Sequence, residues 1–204
     1  MEENKEEKDD RIKVILVGEP GVGKTNLINV SAGLKFNEEE KSTLRASFLE
    51  KRMNINGQEY KLTLWDTIGQ EKLRNLTKIF FKNSKIVIFV YDITSELSFQ
   101  GLRSWEKDVK ELIGDDIIKA VVGNKQDLYL DKEEVKENVA MEYAKSINAK
   151  FRLASAKTDP DSFVNFLEEL LKDYLNKNEK GENFVKLKPN KDEDIKNKKK
   201  KCCA

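Results

Sequence analysis

Apolar and polar residues follow two different patterns along the chain. Short apolar runs predict strands at 12–17, 48–55, 60–65, 86–91, 120–123 and 150–154. Elsewhere the apolar residues recur every three or four positions, which predicts amphipathic helices. The helical positions are Leu27, Ile28 and Val30; Phe99, Leu102 and Trp105; Val135, Val139, Tyr143 and Ile147; and Phe163, Phe166, Leu167, Leu170, Leu171 and Tyr174. Strands that alternate with helices indicate an α/β domain.

The arrangement of the strands can be predicted in part. Asn56 and Gly57 separate the second and third runs, and this pair is favoured in two-residue type I′ turns, so these two strands should be antiparallel. The runs 86–91 and 120–123 are apolar without alternation, which is typical of central parallel strands covered on both faces. Ligands of such sheets bind beyond the carboxyl ends of the parallel strands. The loops to search follow Val17, Trp65, Tyr91, Val122 and Leu153.

Composition shows that the two ends differ from the middle of the chain. Of the 204 residues, 37% are charged, against roughly 25% in typical domains, and 38 Lys and Arg nearly balance 37 Asp and Glu. The first eleven residues hold six acids, whereas 196–201 hold five lysines. We expect an acidic flexible N-terminus at 1–10, one domain at 11–176 and a flexible tail at 177–204.

The chain has no histidine, and its two cysteines, Cys202 and Cys203, are adjacent. Without a histidine imidazole, the chain cannot form Ser-His-Asp or Cys-His nucleophiles or the zinc sites that need histidine. Two adjacent cysteines fit neither a disulfide framework nor a four-ligand metal site. The acidic start has no apolar segment of a signal peptide, and no apolar run approaches the roughly 20 residues of a membrane-spanning helix.

A phosphate-binding pattern follows the first strand. Gly18-x-x-x-x-Gly23-Lys24-Thr25 stands between a predicted strand and a predicted helix, which is the context that a P-loop requires. Glycines let backbone N–H groups turn toward phosphate oxygens, and the helix N-terminus adds partial positive charge. Lys24 would reach the β- and γ-phosphates, and the Thr25 hydroxyl would bind Mg²⁺.

A second loop indicates which nucleotide is bound. Asn124, Lys125 and Asp127 follow the fifth run, at the predicted ligand edge. An aspartate there can accept hydrogen bonds from N1–H and the exocyclic amine of guanine, and adenine lacks both donors. The pattern therefore favours GTP over ATP, and a P-loop kinase or ATPase lacks support because no second-substrate motif is visible.

Together these motifs resemble the small GTPases of the Ras superfamily, over residues 12–176. The segments KLTLWDTIGQEKLR at 61–74, FVYDIT at 89–94 and SFQGLRSW at 98–105, with the double-cysteine ending, most resemble the Rab branch. The resemblance implies a three-layer P-loop G domain. Its mostly parallel six-stranded sheet would carry one antiparallel edge hairpin strand and helices on both faces.

The resemblance also implies a role for individual residues. Thr25 and Thr43 would coordinate Mg²⁺, with Asp66 holding it through a water, and Gln70 would orient the attacking water. The residues implied to bind the nucleotide are Gly21, Val22, Gly23, Lys24, Thr25, Asn26, Phe36, Thr43, Gly69, Asn124, Lys125, Asp127, Ser155, Ala156 and Lys157. A GTP/GDP switch in intracellular vesicle and membrane traffic follows as the expected function.

Some positions depart from the family pattern. Pro20 stands where a small residue is usual, Ile68 replaces the usual alanine beside Gly69, and Arg45 and Ser47 change switch I. Proline donates no N–H and has a fixed φ. We expect nucleotide binding to survive this change, whereas hydrolysis is the step that it would impair. The alternative is a GTP-binding scaffold with impaired hydrolysis.

The tail resembles Rab-type termini that carry two geranylgeranyl chains, here on Cys202 and Cys203. Two lipid chains and nearby lysines would anchor the protein to the cytoplasmic face of intracellular membranes, with a cytosolic pool. The resemblance implies effector proteins that bind switches I and II, an exchange factor, a GTPase-activating protein, an escort protein and a GDP-dissociation inhibitor. No nucleic-acid partner is expected.

Overall fold

The computed structural model describes residues 11–38, 47–66 and 80–186. The strands are β1 (Ile12–Val17), β2 (Ser47–Ile55), β3 (Gln58–Asp66), β4 (Ile86–Asp92), β5 (Ile118–Asn124) and β6 (Lys150–Leu153). The helices are α1 (Lys24–Ser31), α2 (Glu96–Ile113), α3 (Tyr129–Lys132), α4 (Glu137–Ser146) and α5 (Pro160–Lys186), with a 3₁₀ turn at Gln126–Leu128.

The six strands form one sheet in the order β2-β3-β1-β4-β5-β6. β2 pairs antiparallel with β3, and the other pairs are parallel, as predicted. Asn56 and Gly57 have φ values of 54° and 84°. Positive φ at both central positions is the requirement of a type I′ turn, so the hairpin prediction is confirmed.

Helices cover both faces of the sheet, which confirms the three-layer architecture. Successive residues of a strand point to opposite faces, so Val14 packs on one side and Ile15 on the other. The first face packs against α1 and α5, and the second against α2 and α4. All seven residues of β4 are buried, as expected for a central strand covered on both sides.

Two helices differ from the sequence prediction. The apolar spacing placed Val139 on the buried face of α4, but Val139 is 46% exposed, and Ala140 and Ala144 are buried instead. Small alanines allow the helix axis to approach the sheet closely, so they occupy the contact line. Helix α5 continues to Lys186, past the fading of apolar periodicity near Asn176.

Within the described ranges, no helix combines the length and the apolar character that crossing a bilayer would require.

Candidate functional site

Four loops meet at the carboxyl edge of the sheet, as the strand pattern predicted. They are the glycine loop (18–23) after β1, the residues at the end of β3, the Asn-Lys-x-Asp loop (124–127) and the Ser-Ala-Lys loop (155–157) after β6. Hydrogen bonds connect the three loops in pairs, and Thr25 at the start of α1 is hydrogen-bonded to Asp66 at the end of β3. The predicted site residues that lie in these loops are therefore close to one another in space.

The backbone of the glycine loop leaves no room for side chains at two of its glycines. A Cβ at Gly18 would lie 2.1 Å from the Val90 carbonyl oxygen, and a Cβ at Gly23 would lie 2.3 Å from Asn124 Nδ2. Gly23 also has a φ of 94°, which L side chains rarely adopt. These glycines allow the loop to pack directly onto β4 and β5.

Helix α1 begins at Lys24, directly after the loop, and no acidic residue lies in its first turn. The free N–H groups of a helix N-terminus carry partial positive charge, which here is not neutralised by a neighbouring carboxylate on the same turn. The loop and helix together form the kind of cradle that binds phosphate groups.

Lys24 lies inside this cradle and is only 6% exposed. Its Nζ donates to the carbonyl oxygens of Gly18 at 2.8 Å and Glu19 at 2.9 Å. Burial lowers the pKa of Lys24 to about 8, against the opposing effect of the nearby Asp66 and Glu19 carboxylates. A buried cation held by neutral carbonyls would gain free energy from an added anion.

The two predicted magnesium ligands in the described ranges lie together. The Thr25 hydroxyl donates to Asp66 Oδ2 at 2.7 Å, and Asp66 is buried at the end of β3. Parallel pairing of β1 with β3 sets Leu16 opposite Asp66, which brings the carboxylate to the loop. Hydroxyl and carboxylate oxygens suit Mg²⁺, which commonly takes one or two carboxylates and completes its shell with phosphate and water. These residues therefore fit the ion.

Asn124 connects two of the loops. Its Nδ2 donates to the Val22 carbonyl oxygen at 2.9 Å, and its Oδ1 accepts from the Ala156 N–H at 3.3 Å. The side chain is 2% exposed. Asn124 therefore fixes the glycine loop against the Ser-Ala-Lys loop, in addition to any contact with a ligand.

Asp127 and Ser155 form the next contact. Ser155 Oγ donates to Asp127 Oδ1 at 2.6 Å and accepts from the N–H groups of Lys157 at 3.2 Å and Thr158 at 3.1 Å. Ser155 is buried, whereas Asp127 is exposed. The serine thus orients a carboxylate that remains open to a ligand.

Lys125 and the start of switch I are also held in place. Lys125 Nζ lies 2.5 Å from Asp92 Oδ2 at the end of β4. The Asn26 amide donates to the Asn37 carbonyl oxygen at 2.9 Å and accepts from the Asn37 N–H at 3.0 Å. Next to it, Phe36 is half-buried against the core. Residues 36 and 37 are therefore held beside α1.

Several predicted residues lie outside the described ranges. They are Thr43, Gly69 and Gln70, together with Arg45, Ile68, Cys202 and Cys203. Their roles stay predictions. Among the described residues, no group of three or more Cys, Asp and Glu side chains could hold a metal ion.

Sequence reasoning missed the part played by Glu19 and Trp105. Trp105 Nε1 donates to Glu19 Oε1 at 3.1 Å, although the two residues are 86 positions apart. Glu19 is a variable position of the glycine-loop pattern, and Trp105 fits the apolar stripe of a helix. No local pattern pairs them, so only the fold could reveal the contact.

Comparisons with known proteins give a consistent result. The Ras-related protein Rab-21 of Geodia cydonium is 46% identical over 147 residues, which cover 72% of this chain and 64% of that protein. The Ras-related protein Rab-22A of Homo sapiens is 38% identical over 146 residues, covering 72% and 75%. The GTP-binding protein YPT53 of Saccharomyces cerevisiae is 38% identical over 130 residues, covering 64% and 59%. The match thus spans less than two thirds of Rab-21 and YPT53.

The fold and the glycine loop define a P-loop α/β domain. The family model of the Ras family matches residues 13–176, which is most of the chain. The chain therefore belongs to the Ras family, and its relatives identify it as a Rab-type small GTPase.

Proposed function

We propose that the protein binds GTP and GDP with Mg²⁺, hydrolyses GTP, and acts as a molecular switch that regulates intracellular vesicle and membrane traffic. The observation that carries the proposal is the meeting of the glycine loop, the Thr25–Asp66 pair and the exposed Asp127 at one sheet edge. Family membership and the printed name of the GTP-binding relative support it.

Asp127 is the residue that selects guanine. Its carboxylate accepts two hydrogen bonds from guanine N1–H and the exocyclic amine, while Ser155 holds the carboxylate in place. Competition of ATP against a fluorescent GTP analogue tests this assignment, and equal displacement by ATP and GTP would overturn it. Asp127→Asn is the matched variant, because it keeps the size of the side chain and removes one acceptor.

The phosphates are bound by the residues at the start of α1. Lys24 and the N–H groups of the helix N-terminus neutralise and orient them. Thr25 and Asp66, which are hydrogen-bonded to each other, would hold Mg²⁺ beside them. When bound, Mg²⁺ would neutralise part of the phosphate charge. Thr43 is proposed as a further ligand.

Hydrolysis is assigned to a water that Gln70 orients, with the main-chain N–H of Gly69 on the γ-phosphate. The second candidate function is a GTP-binding scaffold with impaired hydrolysis. Pro20 favours it, because a proline in the glycine loop supplies no N–H and fixes φ. Single-turnover phosphate release with and without a GTPase-activating protein separates the two. If no phosphate is released in either condition, the proposed hydrolysis is contradicted, whereas the proposed GTP binding is not.

Switching requires partners that distinguish the GTP and GDP states. Contacts of Thr43 and Gly69 with the γ-phosphate would order switches I and II for effector proteins, and loss of that phosphate would release them. An exchange factor and a GTPase-activating protein complete the cycle. Comparison of proteins captured from lysate by the GTP-analogue and GDP forms tests the switch, and identical captures would contradict it.

Attachment to membranes is assigned to the tail. Geranylgeranyl chains on Cys202 and Cys203, with the lysines at 196–201, would anchor the protein to the cytoplasmic face of intracellular membranes. An escort protein and a GDP-dissociation inhibitor would shield the lipids in the cytosol. Mass spectrometry of the native C-terminal peptide tests this, and unmodified thiols on both cysteines would refute it.

A further inference from the structure

Glu19 connects the glycine loop to helix α2 through its side chain. Its carboxylate accepts a hydrogen bond from the Trp105 indole N–H at 3.1 Å. The donor is fixed, because Trp105 is 1% exposed and packs in the core between the sheet and α2. A hydrogen bond to an ionised acceptor is stronger than one between neutral groups.

The main chain of the same residue holds Lys24. The Glu19 carbonyl oxygen accepts from Lys24 Nζ at 2.9 Å, next to the equivalent bond to the Gly18 carbonyl oxygen. A movement of Glu19 would therefore change the position of one of the two carbonyls that hold the phosphate-binding ammonium. Glu19 therefore connects α2 with Lys24, because its side chain binds Trp105 and its main chain binds Lys24.

Gly101 provides the space in which the Glu19 side chain lies. A Cβ at Gly101 would lie 2.8 Å from Glu19 Oε1 and 2.9 Å from Glu19 Cγ. Gly101 stands one turn before Trp105 on α2, so the two residues act on the carboxylate from neighbouring turns. A cavity of about 400 Å³, lined in part by Glu19, Pro20 and Gly101, adjoins this place and gives a displaced carboxylate room to move.

We propose that Trp105 and Gly101 are positioning residues for nucleotide retention: they hold the Glu19 carboxylate against α2 and thereby fix the glycine-loop carbonyls around Lys24. The inference rests on the proposed function, because it concerns how firmly the phosphate site holds its ligand. Neither residue is among those proposed to bind the nucleotide. Both act through Glu19.

Gly101→Ala is the decisive variant. Alanine is a better helix former than glycine by about 1 kcal/mol, which offsets the loss of the hydrogen bond to Trp105, so the melting temperature of the nucleotide-free protein should change little. The added methyl group nevertheless displaces the Glu19 side chain, so release of fluorescent GDP should accelerate about tenfold, which corresponds to about 1.4 kcal/mol. A purely structural role for Gly101 would instead accelerate release only together with a fall in the melting temperature.

Trp105→Phe and Glu19→Ala form a double-mutant cycle on the same dissociation rate. Each single variant should accelerate release, and the double variant should release GDP no faster than the faster single variant. Val109→Ala is the control, because Val109 is buried on the same helix, two turns beyond Gly101. It should lower the melting temperature and leave the GDP dissociation rate unchanged.

The results separate this inference from the proposed function. Failure of the wild-type protein to bind guanine nucleotides would overturn both. Normal wild-type binding, combined with an unchanged dissociation rate in Gly101→Ala or with additive effects of Trp105→Phe and Glu19→Ala, would overturn the positioning role alone. Faster release in Val109→Ala would overturn it as well, because general destabilisation of α2 would then explain the effect.

Discussion

Replacement of Asn124 by alanine separates a structural role of this residue from a ligand contact. The change removes the amide that donates to the Val22 carbonyl oxygen at 2.9 Å and accepts from the Ala156 N–H at 3.3 Å. Both partner residues are buried, at 1% and 4% exposure, so water cannot readily replace the amide. We therefore expect Asn124→Ala to destabilise the protein even when no nucleotide is bound.

The size of the effect follows from the two hydrogen bonds. Leaving a buried partner unsatisfied costs about 1–3 kcal/mol, and the longer bond to Ala156 belongs at the lower end of that range. The sum predicts a loss of about 2–4 kcal/mol in the free energy of unfolding. The neighbouring Gly23 cannot compensate, because it has no side chain to fill the space.

Urea unfolding of nucleotide-free protein measures this quantity, since a bound nucleotide would add its own stabilisation by mass action. The midpoint should fall while the dependence on urea stays constant. Asn54→Ala is the matched control, because Asn54 Oδ1 accepts from the Gly57 N–H in the exposed hairpin turn. It should cost less than about 1 kcal/mol, because an exposed bond can be replaced by water.

One result would refute the reasoning. If nucleotide-free Asn124→Ala unfolds at the same urea concentration as the wild-type protein, the two hydrogen bonds do not connect the loops energetically. A loss of stability seen only with GDP present would assign Asn124 to ligand binding alone.

Three further predictions concern other parts of the molecule. Lys24→Ala should weaken GDP binding at least about tenfold, because a charge-assisted contact of about 1.5–3 kcal/mol is lost; calorimetric titration measures it, and unchanged affinity would contradict the assignment of the glycine loop. Gln70→Leu should slow single-turnover phosphate release without changing GTP affinity, and an unchanged intrinsic rate would remove the role proposed for this side chain. Burial, with a smaller contribution from Glu106, raises the pKa of Tyr143 to about 12. Since this folded-state pKa exceeds that of the unfolded chain, the contribution of Tyr143 to stability should be full below pH 10 and be lost as the pH rises toward 12, and Tyr143→Phe should flatten that part of the curve in urea unfolding.

The sequence predicts most of the architecture because the signals involved are local. The apolar run at 86–91 predicts a strand buried on both faces, and β4 is buried throughout. Asn56-Gly57 predicts a turn by its own conformational preference. In contrast, Val139 fits the apolar spacing of α4 but lies outside, because the distance between helix and sheet selects Ala140 and Ala144. That distance is a property of the packed domain and leaves no periodic signal.

The residues of the site also fall into two groups, those that a local sequence pattern locates and those whose contacts only the fold shows. Gly18, Gly23 and Lys24 belong to a short motif whose chemistry needs those residues in that order, so the pattern alone locates them. The contact of Trp105 with Glu19 joins a helix to a loop across a large sequence separation, and its two members have ordinary local explanations. The double contact of Asn124 is similar, since the motif indicates a ligand residue and only the fold shows that the side chain also holds two loops together.

Contacts between distant segments also couple ligand binding to folding. Thr25 with Asp66, Asn124 with Val22, and Ser155 with Asp127 each join loops from different parts of the chain. The unfolded chain lacks this arrangement, so a nucleotide that binds only the folded protein stabilises it in proportion to the logarithm of its concentration over the dissociation constant. Variants that loosen one of these contacts should therefore lose stability without nucleotide and gain less when nucleotide is added. Lys24→Ala should differ from them, since it removes charge from the phosphate cradle while the three contacts between loops remain.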